Sequence, residues 1–149
     1  MKLSKQLSGI AGEYYAAAEL SRRGLLAAIT LRNSDSIDIL ASSIDGETQI
    51  SVQVKTTQNK RKWPLSEKVE KEYSNKKIYI FINILNNKIS RPEFFLIHSK
   101  DLAEHISKGH QKWLDTPGKK GKVHNPTKIR EFSDISGKYL ENWDLLDTF

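Results

Sequence analysis

The sequence predicts a mixed α/β domain built around one sheet. Three observations carry the prediction. Residues 7–25 repeat small and apolar side chains at helical spacing. Segments 36–43 and 49–56 alternate like strands on either side of Asp45-Gly46. An isoleucine-rich stretch at 77–85 leads into a further strand and a second long helix. Helix, three strands, helix, strands and helices, in that order, bury their apolar faces best around a single sheet. The 149 residues suit one domain, 1–149, with a core at about 8–98 and a helical and basic-loop appendage at about 99–149.

The first helix places Leu7, Ile10, Ala11, Tyr14, Ala18, Ser21 and Leu25 on one stripe, with Ala16, Glu19 and Arg23 opposite. Glu13 falls on the shoulder between them, beside Ile10 and Ala17. Gly24 is placed to end the helix. A short strand follows at 25–31. In the next pair, Ile37, Ile39 and Ala41 point one way, as do Ile50, Val52 and Val54 on the partner. Asp45-Gly46 signals a two-residue hairpin loop. That loop sets Ile39 against Val52, Ala41 against Ile50 and Ile37 against Val54, so the apolar face matches throughout. The same register sets Asp38 opposite Gln53, with Cβ atoms about 4.5–5.5 Å apart. Lys55 lies on that face roughly 7 Å further along.

Beyond Trp63-Pro64, Ser66 is the N-cap expected for a short helix to about Tyr73. The strand at 77–85 is apolar enough to be covered on both faces. Asn86-Asn87 turns into a strand at 93–98, and a helix covers about 101–114. Pro117-Gly118 ends it. The stretch 116–130 is punctuated as a loop, and 138–146 reads as a short capping helix.

Composition excludes several classes. The chain has no Cys, so it carries no disulfide, no Cys-ligated zinc and no thiol nucleophile. Its longest apolar runs, 78–82 among them, are too short to span a bilayer, and Glu13 interrupts any signal-like core, so no export signal is read. The expectation is a cytoplasmic protein without a membrane partner. The net charge of +6 is local: Lys119, Lys120, Lys122, Lys128 and Arg130 fall in 116–130, and Lys55, Lys60, Arg61 and Lys62 in 55–62, with no acid in either segment. The remainder is mildly acidic. Two focused basic segments suit phosphate contacts, although Lys-rich loops are often merely solvated. Trp63, Trp113 and Trp143 are more often packing residues than base-stacking platforms; Trp63 is the exception to watch, since it follows Lys60-Arg61-Lys62 directly, an order that suits distorted or single-stranded nucleic acid. His98, His105, His110 and His124 lack metal-ligand spacing, though His124 lies within reach of a phosphate.

Glu13, Asp38, Gln53 and Lys55 form the constellation that can carry chemistry. Asp and Lys are disfavoured inside strands, yet both fall on one face here. Asp38 and Glu13 with the Gln53 amide oxygen offer hard ligands for Mg²⁺. Lys55 would orient a water or offset developing phosphorane charge. The plainer alternative is a diagonal Asp38–Lys55 ion pair on a solvated face, worth a few tenths of a kcal/mol.

Gly12-Glu13 on a helix, Ser36-Ile37-Asp38-Ile39 on a strand and Gln53-Val54-Lys55 on the next resemble the PD-(D/E)xK nuclease superfamily. The nearest flavour is its small bacterial Holliday-junction-resolvase-like and Mrr-like members. The resemblance covers about residues 8–85. It implies a restriction-endonuclease-like core with a central mixed sheet flanked by helices, Mg²⁺ (or Mn²⁺) as cofactor, and DNA as substrate. It assigns Glu13 to the helical acid, Asp38 to the strand Asp, Gln53 to the (D/E) position and Lys55 to the Lys. Ile37 replaces the usual Pro, and Gln53 removes one negative charge from the metal site. Branches with a similar QxK pattern are regarded as nucleases. A homodimer would supply the two sites that duplex cleavage needs. Two other readings stand beside the nuclease: an inactive nucleic-acid-binding module of the same fold, and a protein-interaction module of a defence or toxin system.

Overall fold

The computed structural model describes residues 2–31, 36–86 and 89–149. Helix α1 (Lys5–Ser21) precedes strands β1 (Leu26–Ile29), β2 (Ile39–Ser42), β3 (Gln49–Gln58), β4 (Trp63–Ser66), β5 (Lys77–Ile84) and β6 (Glu93–His98). Helix α2 (Ser99–Asp115) and strand β7 (Ile129–Phe132) follow. The main sheet has the order β1-β2-β3-β5-β6, with β3 and β5 parallel and the other neighbours antiparallel. A second sheet pairs β4 with β7. This is the mixed α/β architecture the sequence predicts.

Each face of the main sheet is covered differently. Ala16 and Leu20 of α1 pack with Ile39, Val52, Ile80, Leu96 and Leu145 on one side. Trp63, Phe81, Phe95, Phe132, Leu102 and Ile106 form an aromatic-rich cluster on the other. Residues from α2 and β7 are therefore part of the second cluster. Strand β5 is buried from Lys77 to Asn83, as expected of a strand covered on both faces.

Helix α1 is rotated from its expected stripe. Its buried residues are Ser8, Gly12, Ala16, Glu19 and Leu20, whereas Leu7 and Tyr14 are exposed. The reason is steric. A Cβ on Gly12 would lie 1.9 Å from Thr56 Oγ1, so the helix touches β3 backbone-close, through its smallest side chains. Glu19, expected on the outer face, is buried instead. It binds Arg23 and Arg91, and Arg91 also bonds Glu141 at 2.7 Å, so the far end of α1 is tied to the segment before β6 and to the C-terminal segment. The Arg91 guanidinium, with Arg23, holds the Glu19 carboxyl down to about 2.

Other elements differ in detail. The hairpin register is the expected one from Ile39↔Val52 to Ser42↔Gln49. Its loop is longer than Asp45-Gly46, because Ser43 N donates to Thr48 O at 2.9 Å and Gly46 N to Ser43 O at 3.0 Å. Gly46 takes φ 76°, which closes that turn. After Ser66, whose side chain accepts from Lys68 N, only a 3-10 turn forms, at Glu67–Glu70. Trp63-Pro64 is strand, not loop: Trp63 pairs with Phe132 and Leu65 with Arg130. The expected loop at 116–130 therefore contains a 3-10 turn at Lys119–Gly121 and the start of β7. The C-terminal cap is a 3-10 helix at Trp143–Thr148. The expected turn at Asn86-Asn87 lies partly outside the described residues.

Candidate active site

Asp38 stands where β2 leaves β3. The ladder ends at Ile39↔Val52, so Asp38 is not paired with Gln53 as the extended register implied. Its backbone N donates to Val52 O at 2.9 Å, and its carbonyl accepts from Thr30 N at 2.9 Å. Its Oδ2 accepts from Val54 N at 2.7 Å, taking the place a β2 carbonyl would have filled. A bond to a strand N–H lies in the sheet plane. The carboxylate therefore sits in the fork between the strands rather than on either face. Three bonds fix its position, and the strand Asp that propensity disfavours is explained: it replaces a ladder partner.

Glu13 reaches the same place from α1. Together with Asp38, Thr30, Lys5, Gln6 and Gly9 it walls a cleft of about 550 Å³. Lys5, Gly9 and Glu13 are spaced by helical turns, so one edge of α1 forms this wall. Gly9 leaves open space there. Two of the expected carboxylates thus share one opening.

Gln53 and Lys55 do not wall that cleft. Ile50, Val52 and Val54 face α1, so Gln53 and Lys55 occupy the opposite face of β3. There Gln53 is buried beside Tyr79, and Lys55 is in register with Phe81. The two groups of the constellation lie either side of the fork in which Asp38 sits. The Asp38 charge acts on Lys77 and Tyr79 of the second face, and the Lys55 charge acts on Lys77 as well. Burial lifts the Tyr79 hydroxyl to about 12.

Lys77 was not singled out by the sequence. It is buried, opposite Ser51, and desolvation pulls its ammonium below the ordinary lysine range, against the pull of Glu72 and Asp38. A Lys opening an otherwise apolar strand was the available signal. Lys5 and Thr30 were missed as well, because only the packing of α1 against β1 and β2 brings them to Asp38.

The basic residues divide into three kinds. Lys60, Lys119, Lys120, Lys122 and Lys128 are exposed. Arg61 is exposed but binds Glu93 with two nitrogens, and Lys62 lies 3.6 Å from Glu131. Arg130 is 9% exposed and is bonded to Glu70 and to the carbonyls of Thr127 and Ile129. It is a structural cation, not a surface one, because β7 turns it inward beneath the 3-10 turn. Trp63 is likewise withdrawn from any base: it is 1% exposed and donates from Nε1 to Ile82 O at 3.1 Å. The antiparallel pairing of β4 with β7 sets segment 60–62 at the Trp63–Phe132 end of this ribbon and Lys128 at the other end, where its carbonyl accepts from Glu67 N at 2.9 Å.

The donor set suits a hard cation of modest demand. Among the described residues no group of three or more His, Cys, Asp or Glu gathers. Two carboxylates on one cleft, with waters or phosphate oxygens completing the shell, match Mg²⁺, which rarely takes an all-protein cage.

No protein-family model matches the chain, and no curated protein sequence matches it. Solved structures do. The bacterial homing endonuclease I-Ssp6803I is 11% identical, with 97% of this chain and 93% of that one covered and a TM-score of 0.55. A Holliday junction resolvase, Hjc of Archaeoglobus fulgidus, is 13% identical over 85% of this chain and 84% of its own, with a TM-score of 0.49. The chain has the restriction-endonuclease-like fold. At such identities it is the fold that is shared. No helix among the described residues is long and apolar enough to cross a membrane.

Proposed function

We propose that the protein is a Mg²⁺- or Mn²⁺-dependent nuclease that hydrolyses DNA phosphodiester bonds. One observation carries the reading: an Asp held by three backbone bonds in a strand fork, with a second carboxylate on the same cleft. Backbone bonding explains the Asp but not the second acid on the wall of its cleft, and two carboxylates on one opening are what a divalent cation would need. The neighbouring fold belongs to a homing endonuclease, which supports the same class.

In this reading Asp38 and Glu13 would hold the ion, and Gln53 and Lys55, which lie on the other face of β3, would meet it only where β2 and β3 part, Gln53 as a neutral amide contact. The ion, when bound, lowers the pKa of a water and polarises a phosphoryl oxygen. Lys55 orients the attacking water and offsets charge on the phosphorane. Lys60, Lys119, Lys120, Lys122 and Lys128 hold the backbone, with Arg61 and Lys62 available once their surface ion pairs open; such exposed pairs are worth about 0–1 kcal/mol. A homodimer acting on both strands, and a cytoplasmic location, belong to the same proposal.

The test is cleavage of plasmid and branched DNA by the purified protein with and without Mg²⁺ or Mn²⁺. Cleavage should need the metal and vanish in Asp38→Ala and Lys55→Ala. Cleavage that persists in either variant ends the mechanism. Gln53 supports a second reading, in which the missing charge leaves a DNA-binding module without activity. Binding would then depend steeply on salt and not at all on metal.

A further inference from the structure

A groove of about 950 Å³ runs between the C-terminal half of α2 and β7. Its floor is apolar: Trp113, Ile129 and Ile135 line it, and all three are exposed, the indole by 41%. Its rim is cationic, with Lys108 and Lys112 one turn apart on α2. The acid on its wall, Glu131, is the one that faces Lys62.

The basic loop is fastened to this groove. His124 stacks on Trp113 with ring centroids 4.0 Å apart and planes 26° from parallel. Gly118 makes the stack possible, because a Cβ there would lie 3.0 Å from His124 Cε1. Gly118 N donates to Lys122 O at 2.8 Å, and Gly121 N to Gly118 O at 3.1 Å, which closes the loop into a tight turn. Lys119, Lys120 and Lys122 are therefore carried on a closed turn beside the indole. The His110 ring also stacks on this indole, with centroids 5.6 Å apart and planes 22° from parallel, and 41% of Trp113 remains exposed, so a base would compete with a histidine for the ring.

We propose that this groove binds an unpaired nucleic-acid strand, with Trp113 as the stacking platform and Lys108, Lys112 and the 119–122 turn as phosphate contacts. The inference rests on the nucleic-acid part of the proposed function and is independent of cleavage. The physics selects the class. A duplex hides its base faces and presents phosphates, for which an apolar floor is a poor match. An unpaired strand presents both a charged backbone and bare aromatic faces, and indole stacking on bases is tolerant of sequence. An exposed apolar floor inside a lysine rim accommodates that pair of surfaces. The substrate class implied is DNA with a single-stranded arm, gap or flap.

The test uses the full chain without metal. Tryptophan emission and affinity are followed against a short oligothymidylate and against a blunt duplex. Trp63 is buried and Trp143 is packed against Arg23, at 3.7 Å, so Trp113 is the reporter. Oligothymidylate should quench the emission, and Trp113→Phe, which keeps a ring for His124, should abolish the quench. Trp113→Ala should weaken oligothymidylate binding about 5- to 150-fold, and duplex binding by less than about twofold, the range expected for loss of one stacked base. Should Trp113→Ala unfold, the Lys108→Ala/Lys112→Ala variant reads the same site, lowering the salt slope by about 0.7 for each phosphate it releases on a single strand. Asp38→Ala should keep the quench, so an absence of cleavage leaves this site standing. No quench by oligothymidylate, or equal losses on both nucleic acids, overturns the proposal. Protection of Trp113 by polyglutamate but not by oligothymidylate also overturns it, in favour of an acidic protein partner.

Discussion

Gly12→Ala isolates the contact that places Glu13. In a solvent-facing helix the change would stabilise by about 0.8–1.0 kcal/mol, because glycine is the poorer helix former. Here the new methyl would meet Thr56 Oγ1 at 1.9 Å, Cβ at 3.0 Å and Cγ2 at 3.2 Å. Rotating Thr56 does not clear it, since the Cβ itself is too close. Helix α1 must lift from β3 or β3 must bend, and overpacking of this kind costs typically about 1–3 kcal/mol. Net of propensity, the expected gain of about 0.8–1.0 kcal/mol is cancelled or turned into a loss of up to about 2 kcal/mol. The partner change behaves differently. Among the described residues Thr56 Oγ1 is buried without a hydrogen-bond partner, so Thr56→Ala should cost little or even stabilise. The double variant should recover part of the stability lost to the clash. Urea unfolding midpoints of the four proteins give the coupling directly. A Gly12→Ala protein more stable than the parent by the full helix-propensity gain, or changes that simply add, would refute the close approach and the position of Glu13 derived from it.

Asp38→Asn keeps an acceptor for Val54 N and should melt within a few degrees of the parent, while Asp38→Ala strands that N–H at a cost of about 1–3 kcal/mol; thermal melts separate the two, and both should lack cleavage. Gln53→Glu restores a carboxylate and should tighten Mg²⁺ or Mn²⁺ binding in calorimetry, whereas an unchanged affinity would put Gln53 outside the site. The Glu19 carboxyl is lowered in the folded state, from an ordinary 4.5 to about 2. Its stabilising contribution is thus complete above about pH 4.5 and is lost as pH falls toward 2, so Glu19→Gln should flatten the acid limb of a stability–pH curve over that window. Replacing Lys119, Lys120 and Lys122 with Ala should reduce the salt slope of duplex binding by about 0.9 for each phosphate no longer neutralised, with little change in stability. Arg130→Ala should do the reverse, destabilising the fold by stranding Glu70 while leaving the salt slope unaltered.

The readable parts of the chain were those governed by neighbours in sequence. Alternation of Ile39, Ala41, Ile50 and Val52 set the hairpin register, since a one-residue slip would turn every apolar side chain to the wrong face. Strand 93–98 and the body of α2 were legible for the same reason. The face of α1 was not. Leu7, Ile10 and Tyr14 make the more apolar stripe, yet packing against β3 rewards closeness, and Gly12 and Ala16 allow it. Trp63 and Arg130 were misread because each looks like a surface residue within a basic run. They go inside only because β4 and β7, far apart in the chain, pair with one another.

The order of the residues by itself determined the class of fold, the hairpin, and the short list of Glu13, Asp38, Gln53 and Lys55, since alternation and odd polar choices in strands are local signals. Tertiary structure decided which of them meet. Asp38 enters a cleft with Glu13 because β2 parts from β3 one residue early and its carboxylate takes over a backbone bond. Gln53 and Lys55 lie on the far face because side chains alternate along a strand whose other face is pressed against α1. Those outcomes depend on contacts between segments that no local pattern encodes.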